Sequence, residues 1–339
     1  MAVSATAARR KRLWPRTIGS ATPPVDSCQN WNALLNSRFR QSVARDAPLG
    51  SQSASRPPTA ATTQGAKARM KNVIRCGAAA LATVVAITAA TVPTSQASPP
   101  TQPTVVMVHG AWADTSSWDG ELDALQAKGY TARAIANPLR DLTTDARSVA
   151  SFLETINGPV VLVGHSYGGA VISEAAASSP NVKALVYVDA YIPEVGEAVS
   201  TLNGDGSVIY SLTEQQLFDT FPDRDSPAGA MELLLKKDVF QQHFANDLPA
   251  EQSTRLWAGE RVTSTAALNT PNTATAWKTV PSWAFVSTGD QIITAASKQS
   301  MAQRAGAHIT TFEGGSHLTL ISHPDAVTAV IESAAAGVV

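Results

Sequence analysis

The chain has 339 residues and a formal charge of −1, but the balance is uneven. Residues 1–97 carry 13 Lys and Arg against two acids, whereas residues 98–339 carry 13 against 25. So acidic a body argues against a nucleic-acid partner, and 242 residues are ample for one large core. Both cysteines, Cys28 and Cys76, lie in the basic leader. The body therefore has no disulfide, no thiolate metal site and no cysteine nucleophile.

The leader reads in two parts. Lys67, Arg69, Lys71 and Arg75 precede an apolar run over 76–92, which ends in Pro93-Thr-Ser-Gln-Ala97. A basic start, a short apolar core and small residues before a cut mark residues 70–97 as a secretory signal with cleavage after Ala97. The expected location is thus extracellular, with membrane contact only in transit. Met70 stands where an initiator is expected, so residues 1–69 read as an over-extended gene start or a disordered extension. Their Ser, Thr, Pro and Arg content offers no periodic apolar face.

In the body, residues 104–109 read as the first strand, followed by a turn at Gly110-Ala111-Trp112. Residues 117–128 have helical spacing, with Trp118, Leu122 and Leu125 on one face and Gly129 as the stop. A second strand over 130–135 and a helix over 142–156 follow. Pro159 to Val163 is a continuous apolar, β-branched run suited to a strand buried on both faces. The Ala-rich run after Gly169 suits a packed helix. Between them stands Gly164-His165-Ser166-Tyr167-Gly168. Gly-x-Ser-x-Gly between strand and helix is the pattern of a nucleophile elbow. A serine hydroxyl attacks only when a sharp turn exposes it to a base, and that turn needs small neighbours at Gly164 and Gly168. The Tyr167 amide then faces a developing oxyanion at the positive end of the next helix.

A fourth strand is expected over 182–188, after which the strand–helix alternation stops. From 191 to 279 no strand is evident, and helix-like segments at 213–220, 228–247 and 249–257 alternate with loops. This stretch carries 12 acids against six bases, which disfavours a polyanionic substrate. Alternation resumes with a strand at 282–287, a helix at 295–305, a strand at 307–312 and a helix at 324–335. The economical architecture is α/β, a parallel sheet wrapped on both faces, with a helical lid inserted at about 191–279.

Four motifs together resemble the α/β-hydrolase superfamily over 104–339: His109-Gly110-Ala111-Trp112, the Ser166 pentapeptide, Gly289-Asp290 and Gly315-Ser316-His317. The resemblance is to the compact branch containing plant methyl esterases and hydroxynitrile lyases. It implies an α/β-hydrolase fold with about six mostly parallel strands. It also implies Ser166 as nucleophile, His317 as base, Asp290 as the acid that orients it, and the amides of Tyr167 and Ala111 as oxyanion hole. Asp189, at another strand end, is the rival for Asp290, because some members use that position. His109 and His165 read as supporting groups, and His243, His308 and His323 as surface or capping residues. Asp223 and Asp325 are most simply a turn residue and a helix-start charge.

The implied activity is a secreted serine hydrolase acting through an acyl-enzyme on a small, neutral carboxylic ester or lactone. No cofactor or metal is called for, and the oligomeric state is not legible. Three alternatives share the constellation. Hydroxynitrile lyases carry a lysine after the histidine, where this chain has Leu318, and a threonine in place of Gly110. A cofactor-free perhydrolase uses the same triad, and a silent binding fold would not need it intact. Dehalogenases require a carboxylate where Ser166 stands.

Overall fold

The computed structural model describes residues 102–224 and 229–338. The expected leader and signal over 1–69 and 70–97, with the cut after Ala97, lie outside the described residues.

Nine strands are described: β1 Thr104–Val108, β2 Ala132–Ile135, β3 Val160–His165, β4 Val182–Val188, β5 Phe218–Pro222, β6 Met231–Leu235, β7 Thr263–Ser264, β8 Ser282–Ser287 and β9 His308–Phe312. Six of them form one sheet in the order β2-β1-β3-β4-β8-β9, with every neighbouring pair parallel. β3 is buried at every residue and β4 at all but Lys183, which is why these strands are apolar without alternation. The chain goes to one side of β1 to make β2, then crosses to the other side to make β3. Loops leaving β1 and β3 therefore diverge at a topological switch point, where open α/β sheets place their sites.

Helices Asp119–Ala127, Leu142–Leu153, Tyr167–Ala175, Ala295–Arg304 and Pro324–Ala336 link the strands. Asp141 caps the second of these by accepting from the amide of Thr143 at 2.9 Å. The first expected helix divides into a 3-10 turn, Thr115–Trp118, and the α-helix after it. Among the described residues no helix is long and apolar enough to cross a membrane.

The stretch 191–279 corrects the expectation of an all-helical insertion. It contains a three-stranded antiparallel sheet, β5-β6-β7, together with short helices and the longer helix Ala250–Ala258. β6 falls inside the segment expected to be helical at 228–247. Met-Glu-Leu-Leu-Leu consists of good helix formers, but the run is short and its backbone bonds are supplied by strands distant in sequence. β5 ends at Pro222, a residue suited to a sheet edge. A turn of π-helix spans Phe240–Phe244, with both of these phenylalanines buried.

Candidate active site

Ser166 stands between β3 and the helix Tyr167–Ala175, with φ 53° and ψ −123°. A non-glycine residue in that region is strained and persists only where its surroundings hold it. Close backbone approach does so here. A Cβ on Gly164 would come within 2.5 Å of the Gly168 carbonyl oxygen, and one on Gly168 within 2.5 Å of the Val108 carbonyl oxygen. The Ser166 amide donates to Val188 at 3.3 Å, and its carbonyl accepts from Gly169 at 2.9 Å.

His317 follows β9 and Asp290 follows β8, so parallel neighbours deliver both loops to the same sheet edge as the elbow. The Ser166 hydroxyl donates to Nε2 of His317 at 2.8 Å, and Nδ1–H of His317 donates to Oδ2 of Asp290 at 2.8 Å. That direction is fixed because an ionised carboxylate only accepts. Oδ1 of Asp290 accepts from the amides of Ile292 and Ile293 at 2.8 and 3.1 Å. Burial alone would raise the Asp290 pKa, but His317 and Lys298 outweigh it and hold the carboxyl well below its ordinary range. Asp189, the rival acid, is buried and bonded to Lys298 and the Ser287 amide, while the His317 ring bonds to Asp290.

Tyr167 opens the elbow helix, and its phenol donates to Oδ2 of Asp145 at 2.8 Å. This ties the elbow to the helix Leu142–Leu153. Burial raises Asp145, while the bonds from Tyr167 and the Arg140 amide oppose that shift. Ala111 is buried in the turn after β1, and the next amide, Trp112, is occupied by Oγ1 of Thr263 at 3.1 Å. The turn after β1 thus lies against the elbow, and a Cβ on Gly110 would come within 2.6 Å of Cβ of Ser166.

The other two histidines at this edge have defined tautomers. Nε2 of His109 accepts from the Asn137 amide at 2.9 Å, so its Nδ1–H donates to the Gly110 carbonyl at 2.9 Å. Burial, with Arg261 close by, lowers its pKa to about 4, so the ring is neutral. His165 donates from Nε2 to the carbonyl oxygen of His317 at 2.9 Å and is likewise held neutral by burial. His323 packs on Phe312 at a tilt at the start of the last helix, and His308 packs on Trp283.

Residues of the stretch 191–279 touch several of these groups. The Phe244 ring lies 4.9 Å from that of His317, and Trp112 stacks on Phe218 at 5.5 Å. The Trp112 indole donates to Leu233 at 3.1 Å, and Arg140 pairs through both guanidinium nitrogens with Glu232. The Ser316 amide donates to Asp247 at 2.9 Å. Ser166 is 4 % exposed. A cavity of about 250 Å³ is lined by Trp112, Phe240, Phe244, Leu256 and Leu318, with Asp114, Arg255 and Glu260 as its charged lining; it shares with the candidate site the Phe244 ring that packs on His317. A second cavity of about 420 Å³ lies between residues 176–183 and 279–281, at the opposite edge of the sheet; Ser166, His317 and Asp290 line neither cavity.

Sequence reasoning missed Lys298 and Asp145. Lys298 shares the buried stripe of its helix with Met301 and Ala302, and a lysine at that spacing was the available signal. Asp145 lies on the buried face of Leu142–Leu153 in the same way.

Comparison with known proteins follows the same lines. A model of the alpha/beta hydrolase family matches residues 105–330. A carbendazim hydrolyzing esterase from Nocardioides is 34 % identical over 110 residues, 29 % of this chain and 46 % of that protein. A pyrethroid hydrolase from Sphingobium wenxiniae is 26 % identical over 180 residues, 50 % of this chain and 64 % of that protein. The chain thus spans about half the length of the first relative and under two thirds of the second. Among solved structures, polyneuridine aldehyde esterase superposes with a TM-score of 0.58 at 16 % identity, covering 69 % of this chain and 99 % of that one. At that identity the likeness concerns the fold.

Proposed function

The chain belongs to the alpha/beta hydrolase family, and on that premise we propose that it is a secreted serine esterase cleaving a small, neutral carboxylic ester or lactone. The observation that carries this reading is the unbroken hydrogen-bonded line from the strained Ser166 through His317 to the buried Asp290.

In the proposed reaction the Ser166 oxygen attacks the ester carbonyl while Nε2 of His317 takes its proton. Asp290 holds the tautomer with Nδ1 protonated and offsets the charge of the imidazolium. Negative charge collects on the carbonyl oxygen, where the amides of Tyr167 and Ala111 receive it. Each such donor is worth roughly 2.7–4 kcal/mol of barrier. His317 then gives the proton to the departing alcohol, leaving Ser166 acylated. Water, deprotonated by the same imidazole, releases the acid and restores the serine.

The aromatic and aliphatic part of the cavity lining, Trp112, Phe240, Phe244, Leu256 and Leu318, supports an apolar portion of a substrate of modest size. The insertion serves as a lid, a role supported by Phe244 resting on the His317 ring. Two relatives whose names specify hydrolysis of carbendazim and of pyrethroids support hydrolysis as the reaction class. Export rests on residues 70–97, and a secreted product beginning at Ser98 would agree with it.

The test is a panel of esters and lactones of graded acyl length, run on the full chain beside Ser166→Ala. Turnover of short acyl esters by the parent and its loss in the variant is the expected result. Equal turnover by the two proteins, or none by the parent on any member, overturns the assignment.

A further inference from the structure

The hydrogen-bonded line continues past Asp290. Lys298, on the helix Ala295–Arg304, is 2 % exposed. Its Nζ donates to Oδ1 of Asp189 at 2.5 Å and Oδ2 of Asp290 at 2.7 Å, and reaches Oγ of Ser287 at 3.5 Å. The three protons of the ammonium thus meet three acceptors. Asp189 ends β4 and Asp290 follows β8, adjacent strands of the sheet. Both carboxylates that compete in the sequence for the role of triad acid therefore flank one buried cation.

The bonding divides the work between them. Oδ1 of Asp290 is held by two backbone amides, whereas Oδ2 is shared by His317 and Lys298. The lysine thus fixes the rotation of the very oxygen that receives the imidazole. Oδ1 of Asp189 takes Lys298 and the Ser287 amide at 2.8 Å, while its Oδ2 has no hydrogen-bond partner among the described residues. Asp189 touches no reacting group, so its service here is charge. With His317 neutral the cluster carries one net negative charge. When the imidazole takes a proton, the cluster becomes neutral. Removing Asp189 alone would leave the lysine's charge opposing the imidazolium.

We propose that Lys298 and Asp189 are positioning residues for the candidate triad: the lysine orients Asp290 toward His317, and Asp189 balances the lysine so that the imidazolium is not opposed. This rests on the Ser166–His317–Asp290 reading above. Burial disfavours the ammonium, but the two carboxylates overcome this and raise Lys298 above its ordinary pKa. Burial and the neighbouring Asp290 push Asp189 up against the pull of Lys298. Other groups facing the cluster are His165, held neutral by burial, and Tyr191, whose buried phenol donates to Asn203. Asp247 of the insertion is bonded to the Ser316 amide. None of these is altered in the test.

Asp189→Asn is the decisive change. It keeps Oδ1 and places an amide nitrogen at the oxygen that has no partner. Asparagine also tolerates the positive φ of 43° at this position. The expected result is an acid limb of the kcat/KM profile on a soluble aryl ester moved to lower pH by about one unit, the low end for a nearby charge. Asp189→Asn combined with Lys298→Met removes both charges, and the limb should return to the parental position while kcat stays about tenfold down for want of the tether on Asp290. The low-field proton resonance of His317 Nδ1–H, followed against pH in a Ser166→Ala background, reads the same shifts without turnover. Failure of ester hydrolysis and failure of the charge balance are thereby told apart. A limb and resonance unmoved in Asp189→Asn, or moved upward, overturns the proposal. So does a double variant with the kcat of the parent, which decides the matter even if the single variant does not fold.

Discussion

Gly110→Ala is a small change with a large expected effect. A Cβ at Gly110 would stand 2.6 Å from Cβ of Ser166 and 3.0 Å from both Nδ1 and the carbonyl oxygen of His165. Carbon atoms pack at roughly 3.5–4.0 Å, so about 1 Å of room must be found. The elbow cannot readily provide it, because Gly168 already abuts the Val108 backbone and the Ser166 amide is tied to Val188. Either the Gly110–Ala111 turn retreats, carrying the proposed oxyanion donor with it, or the Ser166 oxygen leaves the line of His317. A displacement of that size lowers kcat/KM by about 10²-fold, which corresponds to roughly 2.7 kcal/mol of barrier. Overpacking should also remove about 1–3 kcal/mol of stability. The assay is kcat/KM on a p-nitrophenyl ester with the melting temperature of each protein recorded alongside. A folded Gly110→Ala protein within threefold of the parent would refute the geometry. The same contact explains why this chain has no room for the threonine that hydroxynitrile lyases carry there.

Glu121 is fully buried with neither carboxyl oxygen hydrogen-bonded among the described residues, and burial raises its pKa to about 9 from an ordinary 4.5. A carboxyl raised in the folded state contributes stability that is fully present below the unfolded value and lost as pH rises through the folded one. Stability should therefore fall between these values by up to about 1.4 kcal/mol per pH unit on this group's account. In Glu121→Gln the melting temperature should gain on the parent steadily from pH 5 to pH 9, and a gain that does not change with pH contradicts it. Arg140→Ala leaves the buried carboxylate of Glu232 without its bidentate partner and releases β6 from the loop before Leu142–Leu153. Urea unfolding should show a loss of about 3–5 kcal/mol, and a loss under 1 kcal/mol would show that this pair does not secure the insertion.

Much of the main sheet was legible because parallel strands buried on both faces leave an unbroken apolar run. The spans 182–188 and 282–287 coincide with β4 and β8 for that reason. The elbow was legible because its backbone admits only glycine at Gly164 and Gly168, and the turn between strand and helix gives the pentapeptide its meaning. The insertion was not. Met231–Leu235 has the composition of a helix and becomes a strand only because Phe218–Pro222 and Thr263–Ser264 pair with it. Lys298 was hidden for a different reason. A lysine in a helix reads as solvated, and its burial follows from two carboxylates that arrive on loops more than a hundred residues apart in the chain.

The proposed chemistry requires a single oxygen activated by a single ring, and covalent capture tests that most directly. The full chain is incubated with a fluorophosphonate, digested, and its peptides weighed. One phosphonyl group per chain, located on Ser166 and absent from Ser166→Ala, is the predicted result. An unmodified Ser166 in folded protein, or a label that survives its replacement by alanine, would contradict it.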